Sequence, residues 1–373
     1  MSVEILPSGI KCNLSCSYCY QNPMRDAGNF ATIMNVDKMI EALDNANQSF
    51  TIFGGEALVT PIDILEKLFK YGFEKYKQNG IQTNGSLITP KHIELFEKYN
   101  VHVGFSMDGP EELNDLRWAG SLTKTRTMTE RSHTNMTNML RAGKLSVSLI
   151  VTLHKKNAVG DKLETLKKWF VMLSGMGLTS ARLHLLEVDH KLVERVALSE
   201  NESFKAITEL AELDHKINID IFSDIPRMMK GEDFSPTCIW GGCNPLRTEA
   251  VHGINPDGTL SNCGRTNKDG INWLKSDTDW NERHHALINT PQEYGGCQDC
   301  RYFPVCRGEC PGESDDWRNK TRHCGLLMRL FKYYEDKIGY NPRALASNQH
   351  NDTPHLDHYD FKSIQVEVRN ATN

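Results

Sequence analysis

The stretch SGIKCNLSCSYCYQ, residues 8–21, contains three cysteines within eight residues, close to the start of the chain. Cys12, Cys16 and Cys19 follow the spacing C-x3-C-x2-C. Thiolates are the usual ligands of [4Fe–4S] clusters, and three of them leave one iron open to a small chelating molecule. A structural zinc site needs a fourth ligand, and no cysteine or histidine follows at zinc-ribbon spacing. The spacing therefore favours a cluster with one open iron.

The composition of the chain is that of a globular protein. It has 373 residues, of which 39% are hydrophobic, enough to bury a sizeable core. Its formal charge of −5 gives no basic excess, so we expect neither nucleic acid nor a membrane as a partner. The sequence has neither an export signal nor a long apolar run, which predicts a cytoplasmic location. Its eleven cysteines are then expected to be reduced and to bind metal clusters.

Strand patterns alternate with helix patterns over the first two-thirds of the sequence. The predicted strands are residues 2–10, 49–55, 80–85, 101–109, 145–153 and 180–188. The predicted helices are residues 36–47, 89–99, 201–216 and 326–338, with others within 61–78, 128–142 and 161–175. Repeated alternation of this kind predicts an α/β fold with a parallel sheet and helices packed outside it.

Four loops that follow predicted strands carry polar or glycine-rich residues. These loops contain Cys12 to Cys19, Gly54-Gly55-Glu56, Thr83-Asn84-Gly85 and Ser106-Met107-Asp108-Gly109. Such residues are also common in ordinary turns. In parallel α/β barrels, however, the C-terminal ends of the strands converge on one mouth. We therefore expect the four loops to line a single site.

Changes in composition divide the chain into four predicted parts. Residues 1–200 hold the alternating strands and helices, and residues 201–237 read as a helical linker. Residues 238–325 form a small Cys-rich domain with little regular structure. Residues 326–373 form a helix and a polar tail, in which 363–368 has the pattern of an edge strand.

The segment CNLSCSYC resembles the signature of radical S-adenosylmethionine (radical SAM) enzymes. FGGEALV, residues 53–59, resembles the family's GGE loop, and TNG and SMDGP resemble later strand ends of the peptide-modifying branch. The resemblance implies a partial (βα)6 barrel and SAM bound at the open iron. It also implies a set of SAM-binding residues: Tyr18, Gly54, Gly55, Glu56, Ser106 and Asp108. In this set Tyr18 lies near the adenine, Glu56 belongs to the loop at the methionyl amino group, and Ser106 and Asp108 contact the ribose. The alternative for Asp108 is a turn residue that caps its own backbone, and for Glu56 a surface carboxylate.

The distal cysteines resemble the seven-cysteine pattern of the SPASM extension. They are Cys243, Cys263, Cys297, Cys300, Cys306, Cys310 and Cys324. With Cys238 they provide eight thiolates, enough to close two auxiliary [4Fe–4S] clusters. By similarity to two-cluster members, one set of four (Cys238, Cys243, Cys263 and Cys310) holds the first cluster, and the other (Cys297, Cys300, Cys306 and Cys324) holds the second. The alternative is that Cys238 is a buried structural thiol and the first auxiliary cluster keeps an open iron.

The resemblance implies an oxidoreductase with SAM and three [4Fe–4S] clusters as cofactors. Its 5′-deoxyadenosyl radical would abstract a hydrogen from a residue of a ribosomally synthesised precursor peptide, which becomes cross-linked or otherwise modified. Implied partners are the peptide and an electron donor such as flavodoxin or ferredoxin. Because the cysteines begin at residue 12, no N-terminal leader-binding domain fits before them. The precursor is then recognised by the barrel, the SPASM region, the tail or a separate leader-binding protein.

Other functions within and outside this branch stay open. They are peptide epimerisation, excision of a residue, and radical chemistry on a small molecule; pure electron transfer is disfavoured, because it has no use for an open iron. In sulfatase maturases, an Asp that serves as the base stands directly after the cysteine that matches Cys263. This chain has Gly264 and then Arg265 there, which argues against sulfatase maturation. The catalytic acid or base is not identified.

Some polar residues lie outside these motifs. Glu187 and Asp189 end the sixth predicted strand at the same mouth, where they either orient a ligand or are solvated carboxylates. The remaining histidines that invite a metal interpretation are His284, His285, His350, His355 and His358. They lack companion ligands at metal-site spacing, so we do not predict a metal site there.

Overall fold

The structure is a computed structural model that describes residues 2–28, 33–188, 191–232, 236–241, 243–244, 251–266 and 282–340. Its strands are β1 (Ser2–Ile5), β2 (Phe50–Ile52), β3 (Asn79–Thr83), β4 (Val101–Ser106), β5 (Val147–Leu153), β6 (Ser180–Leu185), β7 (Asn218–Ile219), β8 (Val251–Ile254) and β9 (Leu260–Ser261). Its helices are α1 (Asn22–Asp26), α2 (Val36–Ala46), α3 (Ile62–Tyr76), α4 (Pro90–Lys98), α5 (Leu122–Ala142), α6 (Asp161–Gly175), α7 (Lys191–Glu194), α8 (Glu200–Ala211), α9 (Asp220–Met229), α10 (Glu282–Asn289), α11 (Phe303–Cys306) and α12 (Cys324–Ile338).

The strands of the described residues form one sheet in the order β7-β6-β5-β4-β3-β2-β1-β8-β9. Strands β1 to β6 are neighbours in chain order and pair in parallel, with α2 to α6 between them. The β8–β9 pair is antiparallel. The predicted α/β class with a parallel sheet and alternating helices is therefore confirmed.

The core lies between the outer face of this sheet and the helices. On β5, Val147, Leu149 and Val151 are buried, while Ser148 and Ile150 between them point to the other face. Helix α3 buries Leu65, Leu68, Phe69 and Gly72, which recur at the spacing of one helix face. Each fully buried Leu or Phe side chain contributes roughly 1.5–3 kcal/mol to folding. The inner face of the sheet is thereby left free for polar residues.

The sheet extends beyond the six predicted strands at both ends. Strand β7, from the predicted linker, pairs with β6, and β8, from the predicted Cys-rich domain, pairs in parallel with β1. Strand β8 covers the edge of β1 that would otherwise expose unpaired backbone groups. The Cys-rich region thus shares the sheet of the barrel and contains β8, β9, α10 and α11. The domain boundaries at residues 200, 237 and 325 stay predictions.

Several element bounds differ from those predicted. Strand β1 ends at Ile5 because residues 7–10 turn toward the cysteine loop. Helix α5 begins at Leu122, six residues before the predicted region, since it buries Thr and Ser side chains where apolar residues were expected. The predicted strand at 363–368 and the polar tail lie outside the described residues. No helix in the described part combines the length and apolarity that crossing a membrane requires.

Candidate active site

A cavity of about 310 Å³ lies against the inner face of the sheet and the loops that follow its strands. Seven of the eleven cysteines line it. They are Cys12, Cys16, Cys19, Cys238, Cys243, Cys263 and Cys310. The three N-terminal cysteines and the four assigned to the first auxiliary cluster therefore face the same space. The four cysteines assigned to the second auxiliary cluster are not part of this lining.

The N-terminal cysteine loop is held from two sides. The backbone N–H of Ser15 donates to the Trp118 carbonyl at 2.7 Å, and that of Ser17 to the Leu116 carbonyl at 2.8 Å. Arg25 of α1 donates from Nη2 to Cys19 Sγ at 3.0 Å. Burial raises the pKa of Cys16 to about 12. Because a metal binds the thiolate form of cysteine, binding would release this proton. Three thiols on a fixed loop fit three corners of a [4Fe–4S] cluster.

The GGE loop packs directly on the backbone that leads into Cys12. Gly54 has φ +140°, and a Cβ on it would lie 2.6 Å from the Gly9 carbonyl oxygen. A Cβ on Gly55 would lie 2.3 Å from the carbonyl oxygen of Ile10. The N–H of Gly55 donates to Gly9 O at 3.0 Å. Only glycine permits this close approach of two backbones, which explains both glycines without any ligand.

Glu56 joins two of the four predicted loops. Its Oε1 accepts from the Leu58 N–H at 2.9 Å and from the Thr83 hydroxyl at 2.5 Å, and its Oε2 accepts from the Asn84 N–H at 2.7 Å. The side chain is buried and lines the cavity, and burial raises its pKa. Glu56 is therefore not a surface carboxylate. Its predicted contact with SAM stays a prediction.

Asp108 is the centre of a buried polar network. The Tyr18 hydroxyl donates to its Oδ2 at 2.5 Å, and Arg117 Nη2 and the Thr152 N–H donate to its Oδ1 at 2.9 and 3.0 Å. Burial alone would raise the pKa of Asp108, but Arg117, His154 at 3.5 Å and the hydrogen bond from Tyr18 hold it well below its usual range. The carboxylate is thus ionised and fully paired.

Three hydrogen-bond partners of Asp108 line the cavity, whereas Asp108 itself does not. Tyr18, Arg117, Thr152 and Ser106 line the cavity, and Asp108 is not part of the lining. Ser106 Oγ accepts from Gln82 Nε2 at 2.8 Å. The ribose contact predicted for Ser106 and Asp108 stays a prediction, and for Asp108 both carboxylate oxygens are already bonded within the protein. Sequence reasoning missed Arg117, which no motif marks.

The cysteines assigned to the first auxiliary cluster are electrostatic neighbours. Burial is the main reason that the pKa values of Cys238 and Cys310 are raised. The negative charge of Cys263 raises the pKa of Cys238 further, and the negative charges of Cys263 and Cys243 raise that of Cys310. The Thr266 hydroxyl lies 3.5 Å from Cys263 Sγ. The four thiols belong to separate loops that meet at the cavity. A donor set of four thiols fits a [4Fe–4S] cluster.

The cysteines assigned to the second auxiliary cluster form a separate group. Burial raises the pKa of Cys297 to about 12, with smaller effects from the charges of Cys300 and Cys324. Burial also raises the pKa of Cys306, and the charges of Glu309, Cys297 and Cys324 raise it further. Within the described ranges, no three His, Cys, Asp or Glu side chains are grouped closely enough to hold a single metal ion. In a [4Fe–4S] cluster each ligand binds a different iron, so the ligands lie farther apart than around a single ion. The second set of four thiols fits such a cluster as the first set does. The assignments of all eight stay predictions.

Arg265 links the end of β6 to the Cys-rich region. Its Nε donates to Glu187 Oε1 at 2.5 Å, and its Nη2 donates to Glu313. Glu187 therefore lies in the cavity wall as a paired carboxylate, while Asp189 lies outside the described residues. A Cβ on Gly264 would lie 2.7 Å from the hydroxyl oxygen of Tyr20. A side chain at position 264 would therefore meet the Tyr20 hydroxyl.

The histidines outside the motifs have other surroundings. His284 packs edge-on against Phe303, with ring centroids 4.8 Å apart, and burial lowers its pKa to about 4. His285 lies beside it on α10. His350, His355 and His358 lie outside the described residues. The prediction that these histidines form no metal site stays a prediction.

Comparisons with known proteins match the part of the chain that contains the N-terminal cysteine loop and the GGE loop. The Radical SAM superfamily matches residues 6–168. The serine-type anaerobic sulfatase-maturating enzyme of Bacteroides thetaiotaomicron is 34% identical over 126 residues, which cover 30% of each chain. The alignment with a cysteine-type enzyme of Clostridium perfringens covers 35% of that relative. The chain therefore matches about a third of these relatives' length. A cysteine-type enzyme of Clostridium novyi is 23% identical over 94% of this chain and 99% of its own.

Solved structures share the fold. The structure described as native anSMEcpe with bound AdoMet and Cp18Cys peptide has a TM-score of 0.70 at 19% identity, covering 90% of this chain and 97% of its own. Streptococcus suis SuiB bound to S-adenosylmethionine has a TM-score of 0.52 at 17% identity, covering 87% and 74%. Together with the N-terminal cysteine loop, the GGE loop and the parallel sheet, these matches identify residues 6–168 as a radical SAM domain, a type of domain whose cofactors are SAM and a [4Fe–4S] cluster.

Proposed function

We propose that this enzyme is a maturase that abstracts a hydrogen atom from a residue of a ribosomally synthesised precursor peptide and leaves it cross-linked or otherwise modified. The observation that carries the proposal is the single cavity lined by both the N-terminal cysteines and the first distal set. Its volume of about 310 Å³ is in the range of ligand pockets. Relatives named as sulfatase-maturating enzymes, and the solved structure described with a bound Cp18Cys peptide, support a peptide or protein substrate.

The cofactors assigned to the chain follow from its donor sets. Cys12, Cys16 and Cys19 would hold the cluster to which SAM binds, and the two distal sets of four would hold two closed auxiliary [4Fe–4S] clusters. When bound, SAM and its cluster supply a 5′-deoxyadenosyl radical as the agent of hydrogen abstraction. The chain itself orients the ligands and excludes water.

The residues of the wall have distinct roles in this proposal. Tyr18, fixed by its hydrogen bond to Asp108, presents its ring to the cavity near the predicted adenine. Glu56 holds the GGE loop against the TNG loop, so both strand ends keep one geometry around SAM. Arg265 and Glu187 form an ion pair in the cavity wall, which joins the barrel to the Cys-rich region. Each side chain is held by buried partners, which gives the preorganisation that radical chemistry requires.

The product is proposed to differ from that of the sulfatase-maturating relatives. Their base corresponds to Gly264, and a Cβ at this position meets the Tyr20 hydroxyl at 2.7 Å. An Asp side chain does not fit there unless Tyr20 moves. We further propose a cytoplasmic location and a flavodoxin or ferredoxin as electron donor. The precursor would be recognised by the barrel, the SPASM region, the tail or a separate leader-binding protein.

Mass spectrometry after anaerobic co-expression with a short precursor-like peptide encoded beside the gene tests the proposal. Loss of two hydrogens indicates a cross-link, deuterium gained from heavy water at otherwise unchanged mass indicates epimerisation, and loss of a residue-sized fragment indicates excision. The Cys16→Ala variant is the control and should leave the peptide unchanged. An unmodified peptide beside an iron-loaded enzyme that cleaves SAM contradicts the proposal and favours a small-molecule substrate.

A further inference from the structure

A carboxylate without a partner lies in the wall of the cavity. Glu4 is on β1, where its neighbours Val3 and Ile5 are fully buried on the outer face of the sheet and Glu4 lines the cavity on the inner face. Within the described part of the chain, Glu4 makes no hydrogen bond or ion pair through its side chain. Burial raises its pKa to about 7, although Arg182 and Arg265 act in the opposite direction.

The nearby arginines are already engaged by other carboxylates. Arg182 Nε donates to Asp220 Oδ2 at 2.7 Å. Arg265 donates to both Glu187 and Glu313. Two guanidinium groups on this side of the cavity therefore face five carboxylates, those of Asp220, Glu187, Glu313, Glu309 and Glu4. Within the described residues, Glu4 has no direct side-chain partner, and Glu309 Oε2 is buried without one. Even a protonated His323, 3.4 Å from Glu313, would leave two carboxylates in excess.

The fold itself does not require a carboxylate at this position. The backbone of Glu4 pairs with Thr51 of β2 and Gly253 of β8, which any residue with a strand conformation can do. Glu4 is half-buried, and an unpaired carboxylate there is unfavourable because it loses part of its hydration without a compensating charge. A cation brought by a ligand supplies that compensation and gives charge-based specificity.

We propose that Glu4 binds a positively charged side chain of the substrate, a lysine or arginine in the peptide segment that enters the cavity. The proposal rests on the proposed function for the peptide nature of the substrate, and adds the chemical class of the residue bound. A peptide with a glutamate at the same position is repelled by the carboxylate excess, and one with an uncharged aliphatic residue leaves Glu4 unpaired.

Equilibrium binding to the SAM-loaded holoenzyme without reductant tests this, because no hydrogen abstraction takes place. The probes are fluorescent, capped pentapeptides Gly-Ala-X-Ala-Gly, in which X is lysine, arginine, norleucine or glutamate. The lysine and arginine peptides should bind at least about tenfold more tightly than the norleucine peptide. In Glu4→Gln this preference should fall below about twofold, while affinity for SAM and for the norleucine peptide is unchanged. Glu94→Gln, the same substitution on the exposed face of α4, should keep the full preference.

Two results overturn the inference: equal or unmeasurable binding of all four peptides, or a preference that survives in Glu4→Gln. Glu4→Asp retains the charge and should keep part of the preference, which guards against a folding defect in the first variant. A lysine preference with no peptide modified on co-expression would contradict the proposed function alone. A modified peptide with no preference for lysine or arginine would contradict this inference alone.

Discussion

At the scale of single residues, the Asp108 network is the most strongly coupled part of the site. In its ion pair with Arg117 the side chains are 0% and 10% exposed, whereas Asp115 and Arg126 form a similar pair that is 27% and 40% exposed. Removing one partner of a buried pair leaves the other charge unpaired, so Asp108→Asn should lower the free energy of unfolding by about 3–5 kcal/mol. Asp115→Asn should cost about 1 kcal/mol or less. Urea denaturation of both variants measures the difference, and equal losses would contradict the structure.

The contact between Gly264 and Tyr20 gives a second prediction at this scale. A Cβ on Gly264 would lie 2.7 Å from the Tyr20 hydroxyl oxygen but 3.2 Å or more from the ring carbons. Gly264→Ala should therefore destabilise the protein, and Tyr20→Phe, which removes the hydroxyl, should relieve part of that loss. We expect a coupling of about 0.5–3 kcal/mol in a double-mutant cycle followed by thermal unfolding. Strictly additive effects would mean that the two residues do not touch.

At the scale of elements, the GGE loop is held to the cysteine loop by backbone contact. Gly55→Ala would put its Cβ 2.3 Å from the Ile10 carbonyl oxygen, so the loop must move away from Cys12. We expect SAM affinity, measured by equilibrium dialysis, to fall at least about tenfold, because the loop also carries Glu56. Gly175→Ala at the end of α6, where no atom lies within 4 Å of the new Cβ, is the control and should leave SAM affinity unchanged. Normal SAM affinity in Gly55→Ala would argue against the role of this packing.

A helix or strand could be predicted when a short stretch of its own sequence carries the pattern. The alternation of β1 to β6 with helices is visible in short apolar patterns, such as Val147, Leu149 and Val151. Strand β8 was not predicted, since VHGI contains a histidine and a glycine and is fixed only by pairing with β1. The start of α5 was missed because Thr125 and Thr129 are buried there in place of apolar residues. Tertiary context decided these elements.

At the scale of the whole molecule, the structure brings cysteines from distant parts of the chain to one cavity. Cys238, Cys243, Cys263 and Cys310 line it together with Cys12, Cys16 and Cys19, a meeting that no sequence pattern predicted. The division of the eight distal cysteines between two clusters was implied by the resemblance and stays a prediction. Arg117, Arg25 and Glu4 were not predicted as site residues, because their partners, or the absence of one, appear only when distant segments come together. Spacing carries information on ligands, but it carries none on charge balance inside a cavity.

The three cysteine sets should load iron independently. The anaerobically reconstituted chain should bind about 12 irons, four for each cluster. Replacing Cys297 and Cys300 together with Ala should remove about four irons and leave the SAM-binding cluster intact, because these residues do not line the cavity. Iron analysis with Mössbauer spectroscopy measures both quantities. Loss of about eight irons would show that the two auxiliary sites depend on each other.

The central claim is that a hydrogen atom of a peptide passes to the radical formed from SAM. The most direct measurement is the mass of the 5′-deoxyadenosine produced when the reduced enzyme reacts with a precursor peptide deuterated at its non-exchangeable positions. The account predicts 5′-deoxyadenosine that carries one deuterium, in proportion to the modified peptide formed. Unlabelled 5′-deoxyadenosine, in the presence of a bound deuterated peptide that is itself unchanged, would contradict it.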